Sequence, residues 1–203
     1  MPAAVPFRRS LSLCCWSLRC AAAACWPDAC PALNDVSGSS AGGIQALLDI
    51  APGTELGVSG WHEVTQEDIN AFASLTRDED PYHTDPDWAR AHSHLGTTIS
   101  FGFLTLSMLT AFSHEVFDNL GVNPGDDAQM FNFGFNRVRL PEPVPAGAAI
   151  RGRVTFAGSR VRDAGGIALR FDVVEEIEGR DRPALVCEWL AVAVPSSGQS
   201  PTG

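Results

Sequence analysis

From Gly43 to about Val194 the apolar and polar positions of this chain recur with the periods of regular structure, whereas residues 1–43 show no sustained period. Val58 to Val64 reads as a short strand. Thr65-Gln66-Glu67-Asp68 then has the form of a capping box, in which the Thr65 hydroxyl and the Asp68 carboxylate satisfy free N–H groups at a helix start. Ile69, Phe72, Ala73 and Leu75 follow at helical spacing, so the helix runs to about Thr76 and delivers Asp78 just past its end. Asp85-Pro86 predicts a second, short helix ending by Ala91, with Asp as N-cap and Pro at the first helical position. From Gly102 to about Phe117 the apolar residues are nearly continuous, which predicts a helix buried on most sides. Beyond the turn at Asn123-Pro124-Gly125, four strands are expected: Met130–Val138, Ala149–Ala157, Ile167–Ile177 and Ala184–Val194. In the first, Phe131, Phe133 and Phe135 alternate with Asn132, Gly134 and Asn136. One long apolar helix followed by a run of antiparallel strands implies an α+β architecture, the sheet wrapped around the helix.

Composition sharpens the domain limits. Residues 1–43 are rich in Ala, Cys, Ser and Pro, and Ser37-Gly38-Ser39-Ser40-Ala41-Gly42-Gly43 has the composition of a flexible linker. The expected organisation is a low-order tail over 1–43, one domain over 44–197 and a disordered end over 198–203. Arg8-Arg9, the apolar stretch Leu11 to Leu18 and the alanines 21–24 give the tail a weak signal-like look, interrupted by Arg19. A start codon assigned too far upstream accounts for it equally simply and is the preferred expectation. Leu11 to Cys25 is too short to span a bilayer. The formal charge of −10 argues against a nucleic-acid partner. No lysine is present; all 14 basic residues are Arg. Five of the six cysteines fall at 14, 15, 20, 25 and 30, leaving Cys187 alone in the domain, which suits a reducing cytoplasm.

The candidate chemistry lies in Thr76-Arg77-Asp78-Glu79-Asp80-Pro81-Tyr82-His83-Thr84-Asp85 and, downstream, at Gly102. A carboxylate and an imidazole five residues apart, with a free backbone N–H at a helix start, are the parts needed to move protons on a carbonyl-activated substrate. Taken singly, Asp78 reads as a loop carboxylate, His83 as a loop histidine and Gly102 as a packing glycine. Together and in order they form a site. His92 and His94 lack metal-ligand spacing, so no metal is expected.

Asp78-x-x-Pro81-x-His83-x-Asp85, then Thr98-Ile99-x-x-Gly102-Phe103-Leu104, then Asn132-Phe133-Gly134-x-Asn136-Arg137-Val138-Arg139-Leu140-Pro141-x-Pro143-Val144-Pro145-x-Gly147, resembles the MaoC-like dehydratases. The nodulation-protein-N-like branch, similar to the (R)-specific enoyl-CoA hydratases, is the nearest. The resemblance covers Gly43 to about Val194. It implies a hot-dog fold, a homodimer with sheets joined edge to edge, and an acyl thioester of coenzyme A or acyl carrier protein as substrate, with no other cofactor and no membrane partner. It further implies that Asp78 and His83 are the catalytic residues, holding the reacting water, and that the backbone N–H of Gly102 meets the thioester oxyanion. The reaction implied is reversible hydration of trans-2-enoyl thioesters to 3-hydroxyacyl thioesters of the (R) form. A hot-dog thioesterase, or a non-catalytic subunit of a heterodimeric dehydratase, are the alternatives.

Three positions depart from the family pattern. Arg77 stands where the family usually has Gly, Phe101 replaces the His that usually precedes the glycine, and Thr110 stands near a helical Ser of some hydratases. Arg137, Arg139, Arg151 and Arg153 are read as mostly solvent-facing strand residues outside the site. The acyl pocket is expected to be shaped by the embracing strands and the loop around His92 to Gly96.

Overall fold

The computed structural model describes residues 43–163 and 165–196; the proposed tail, apart from Gly43, and residues 197–203 lie outside them. A short helix α1 (Ile44–Leu48) leads into β1 (Thr54–Val58) and β2 (His62–Glu63). The expected strand over Val58–Val64 is thus two pieces, broken at residues 59–61. There Ser59 instead exchanges backbone and hydroxyl hydrogen bonds with Gly152.

Next come the helices α2 (Gln66–Thr76), α3 (Pro81–Thr84), α4 (Pro86–His92) and α5 (Gly102–Leu120). α2 begins with the anticipated capping box: the Thr65 hydroxyl accepts from the Asp68 N–H while the Asp68 carboxylate accepts from the Thr65 N–H. Asp85 caps α4, accepting from the amides of Asp87 and Trp88, with Pro86 at the first position. The one-turn helix α3 was not anticipated; Asp80 caps it and Pro81 opens it. The remaining strands, after a 3-10 turn at Pro124–Asp126, are β3 (Ala128–Arg139), β4 (Ala149–Val161), β5 (Ile167–Ile177) and β6 (Leu185–Pro195).

The strands form one antiparallel sheet in the order β1-β4-β5-β6-β3, with β2 extending the β1 side along β4. α5 packs against one face of it. One stripe of α5 (Thr105, Leu109, Phe112, Ser113, Val116, Phe117) is buried. The opposite side is open, with Phe103 78% exposed, so the helix is amphipathic in the single chain rather than buried on most sides. Gly152 on β4 allows the helix to sit this close, because a Cβ there would lie 2.6 Å from the Phe112 Cβ. The core has two lobes along the helix. Leu109, Phe117, Phe171 and Trp189 centre the first. Phe112, Phe101, Ile150 and Ile177 centre the second.

β3 departs from simple alternation. On β6, Trp189, Ala191 and Ala193 belong to the core, and opposite them stand Phe135, Asn132 and Met130. A bulge between Asn132 and Gly134 inserts Phe133, and a second lies between Asn136 and Arg139. The inward positions therefore run 130, 132, 135, 138, with Asn132 accepting a hydrogen bond from the Trp189 indole at 2.8 Å. Phe131 and Phe133 are left 51% and 63% exposed.

Candidate active site

The site grows from the end of α2. Arg77 takes a left-handed conformation (φ 62°, ψ 30°), and the N–H groups of Arg77 and Asp78 both turn back to the Ala73 carbonyl. That geometry suits glycine, and an L residue with a side chain pays roughly 1–2 kcal/mol to adopt it. Asp78 follows on this turn with its side chain exposed. Two residues later the Asp80 carboxylate accepts from the Tyr82 N–H at 2.9 Å and starts α3, the turn that carries His83.

His83 is held from several directions. Its Nδ1 lies 2.7 Å from the Ile99 carbonyl oxygen. A carbonyl only accepts, so Nδ1 carries the hydrogen and the neutral ring keeps its lone pair on Nε2. The ring packs on Phe101 with centroids 3.8 Å apart and planes 31° apart. Phe101, the unusual neighbour of Gly102, is buried and also meets Phe72. Gln66, the first residue of α2, donates from Nε2 to the His83 carbonyl oxygen at 2.7 Å.

The third motif explains how Gly102 is placed. Its proline-rich end runs beside residues 98–100: the Ser100 N–H donates to the Val144 carbonyl at 2.7 Å and the Ala146 N–H to the Thr98 carbonyl at 3.0 Å. This ladder fixes the chain just before α5. The N-terminus of α5 has no capping side chain, so its first amides keep their hydrogen-bonding capacity and the positive end of the helix dipole. A Cβ on Gly102 would lie 2.5 Å from a terminal carbon of Leu140, a half-exposed side chain.

His83 and Gly102 line one cavity of about 210 Å³, together with Ile99, Ser100, Thr105, Leu140, Glu142, Pro143, Val144 and Ala184. Asp78 is not among its lining residues, so the structure joins two of the three sequence candidates directly and leaves Asp78 on the adjoining turn. None of residues 92–96 lines this cavity; His92 instead stacks on Trp88. Sequence reasoning missed Ser100, Thr105 and Glu142. Ser100 and Thr105 flank the glycine motif, with their hydroxyl oxygens 3.3 Å apart, but Glu142 stood in an unassigned position of the third motif. Both Glu142 oxygens are engaged, one by Arg180 at 2.8 Å and one by Arg182 at 3.7 Å. The four arginines set aside earlier also lie outside the cavity. Arg151 and Arg153 pair with Glu176, and Arg137 pairs with the buried Glu188, so these three are ion-paired rather than simply solvent-facing.

Comparison with known proteins agrees with the geometry. Residues 49–175 match the family model described as MaoC like domain. Nodulation protein N of Rhizobium meliloti is 36% identical over 150 residues, spanning 73% of this chain and 91% of that protein. The 3-hydroxyacyl-thioester dehydratase Z of Mycobacterium tuberculosis is 36% identical over 145 residues, 71% of this chain and 92% of that protein. Among solved structures, the (R)-hydratase from A. caviae involved in PHA biosynthesis superposes with a TM-score of 0.55 at 18% identity, covering 70% of this chain and 96% of that one. The shared architecture is the hot-dog fold.

Proposed function

The chain belongs to the MaoC-like domain family, and from that premise we propose that it is a hydro-lyase adding water reversibly to trans-2-enoyl thioesters of coenzyme A or acyl carrier protein. The product is a 3-hydroxyacyl thioester, of the (R) form by family resemblance. The observation that supports this most directly is one cavity shared by an imidazole of fixed tautomer and an uncapped helix N-terminus at a glycine.

Hydration places OH on C3 and a proton on C2, through an enolate-like state with charge on the thioester oxygen. The Nε2 lone pair of His83 takes a proton from water as the water oxygen bonds to C3, Asp78 helps to hold that water, and the proton on His83 then passes to C2, directly or relayed through Asp78. The Gly102 N–H, backed by the helix dipole, stabilises the oxyanion; one such donor is typically worth about 2.7–4 kcal/mol of barrier. Asp78 enters this scheme through its motif, five residues before His83, which makes its substitution a sharp test.

Purified protein given crotonyl-CoA and longer trans-2-enoyl-CoAs should consume the conjugated thioester absorbance. Asp78→Asn and His83→Ala should each lower the rate about 100-fold or more. Wild-type rates in both variants would sink the assignment. A thioesterase would need a carboxylate free to attack or to activate water. Glu142 is the carboxylate lining the cavity, and its engagement by Arg180 and Arg182 disfavours that role. Release of free thiol without hydration would reverse this preference. For the assembled form we propose a homodimer joined through β3, the sheet edge that carries Phe131 and Phe133.

A further inference from the structure

We propose that Gln66 is a positioning residue for His83: its side chain sets the spacing between the backbone that carries the imidazole and the carbonyl that fixes its tautomer. The proposal rests on the reading of His83 as the group that handles the proton.

Gln66 opens α2, where a side chain can leave the helix end without crowding a preceding turn. Its amide reaches two segments distant in sequence, the His83 carbonyl and the Thr98 hydroxyl. The His83 carbonyl oxygen only accepts, so the NH₂ group faces it and the amide oxygen faces Thr98. The second amide hydrogen is used as well, because Nε2 also lies 2.9 Å from the Asn70 side-chain oxygen. Thr98 is buried, at 1% exposure, and its hydroxyl has Gln66 as a partner. The next residue is Ile99, whose carbonyl accepts from His83 Nδ1, and whose N–H donates to the Tyr82 carbonyl at 3.2 Å.

The result is a closed loop of contacts. One end of Gln66 holds the peptide of His83 and the other holds the residue beside the imidazole's acceptor. If this amide is lost, the α3 turn and residues 98–99 keep the Ile99–Tyr82 bond but lose the clamp that holds His83 in register with Ile99. The ring can then rotate or exchange its hydrogen between nitrogens, and Nε2 no longer presents its lone pair steadily. Misplacement of a reacting group by about 1 Å can cost on the order of 100-fold in rate.

Two variants of the full chain test this. Gln66→Met keeps the length of the side chain and removes every hydrogen bond; Gln66→Glu still accepts from Thr98 but donates to the His83 carbonyl only when protonated. In crotonyl-CoA hydration, Gln66→Met should lower kcat about tenfold or more with KM within about threefold of wild type. Nitrogen-15 spectra of the His83 ring should show one tautomer, hydrogen on Nδ1, in wild type and a mixture in Gln66→Met. The kcat of Gln66→Glu relative to wild type should rise as pH is lowered and its carboxyl gains a hydrogen to donate. Thermal unfolding of both variants separates a folding defect from displacement of the ring, and Gln66→Glu carries the test if Gln66→Met does not fold. An unchanged kcat with an unchanged tautomer in the folded variants would overturn the proposal. Should wild type hydrate no enoyl thioester, the functional reading fails on its own, and the nitrogen-15 comparison still decides whether Gln66 sets the ring.

Discussion

At Glu175 a carboxylic acid points from β5 into the packed interior. It is fully buried, and among the described residues neither of its oxygens has a hydrogen-bond partner. Burial pushes its pKa up from the ordinary 4.5 to about 8. The same surroundings, with Glu175 nearby, push the Cys187 thiol up to about 12. The contrast with Glu188 is instructive, because that buried carboxylate is paired with Arg137 and Arg170. A raised folded-state pKa means the folded protein holds a proton that the unfolded chain releases. Stability should therefore fall as pH rises from about 4.5 to about 8, with a slope of up to about 1.4 kcal/mol per pH unit. Glu175→Gln should flatten this dependence and raise the urea midpoint at pH 8; an unchanged pH profile would show that the carboxyl is not held neutral. Alternation of Leu169, Phe171, Val173 and Ile177 with Arg170 and Asp172 puts position 175 on the inner face, but a carboxylate is the residue that such a face is least expected to hold. Asp78, His83 and Gly102 stand out in the sequence for the opposite reason: they sit on local turns and a helix start, which short-range chemistry specifies.

For single elements, the same division holds. α2, α4, α5 and the strands β3–β6 were visible in periodicity and caps to within a few residues. α3 was hidden, because one turn of helix offers too few positions to establish a period, and the break at residues 59–61 depends on pairing with Gly152, far away in sequence. The seat of α5 on the sheet is likewise a long-range matter. Gly152→Ala should force Phe112 from its place and destabilise the domain by about 1–3 kcal/mol. Chemical denaturation would show this as a lower midpoint with an unchanged slope, and a stability within about 0.5 kcal/mol of wild type would mean that the helix shifts freely.

For the whole molecule, charge and exposed surface set the behaviour. No helix among the described residues is long and apolar enough to cross a membrane. The outward side of α5 and the β3 edge instead expose Phe103, Phe131 and Phe133, large apolar groups that invite a cover. Sedimentation should give twice the 21.6 kDa chain mass, and Phe133→Glu should shift the protein toward monomer. A monomeric wild type at tens of micromolar would exclude the β3 pairing. The two bulges of β3 carry a consequence for how such a chain can evolve. Each holds one residue for which β6 has no partner, so the paired residues on either side already stand where an unbulged strand would put them. Deleting Phe133 would leave Phe135 opposite Trp189, and deleting Arg137 would leave Val138 facing the core. The bulges thus mark where the strand can lose a residue without turning its neighbours over. A single deletion there should be tolerated, whereas one within β5, which pairs with β6 without a bulge, would turn the residues beyond it to the opposite face.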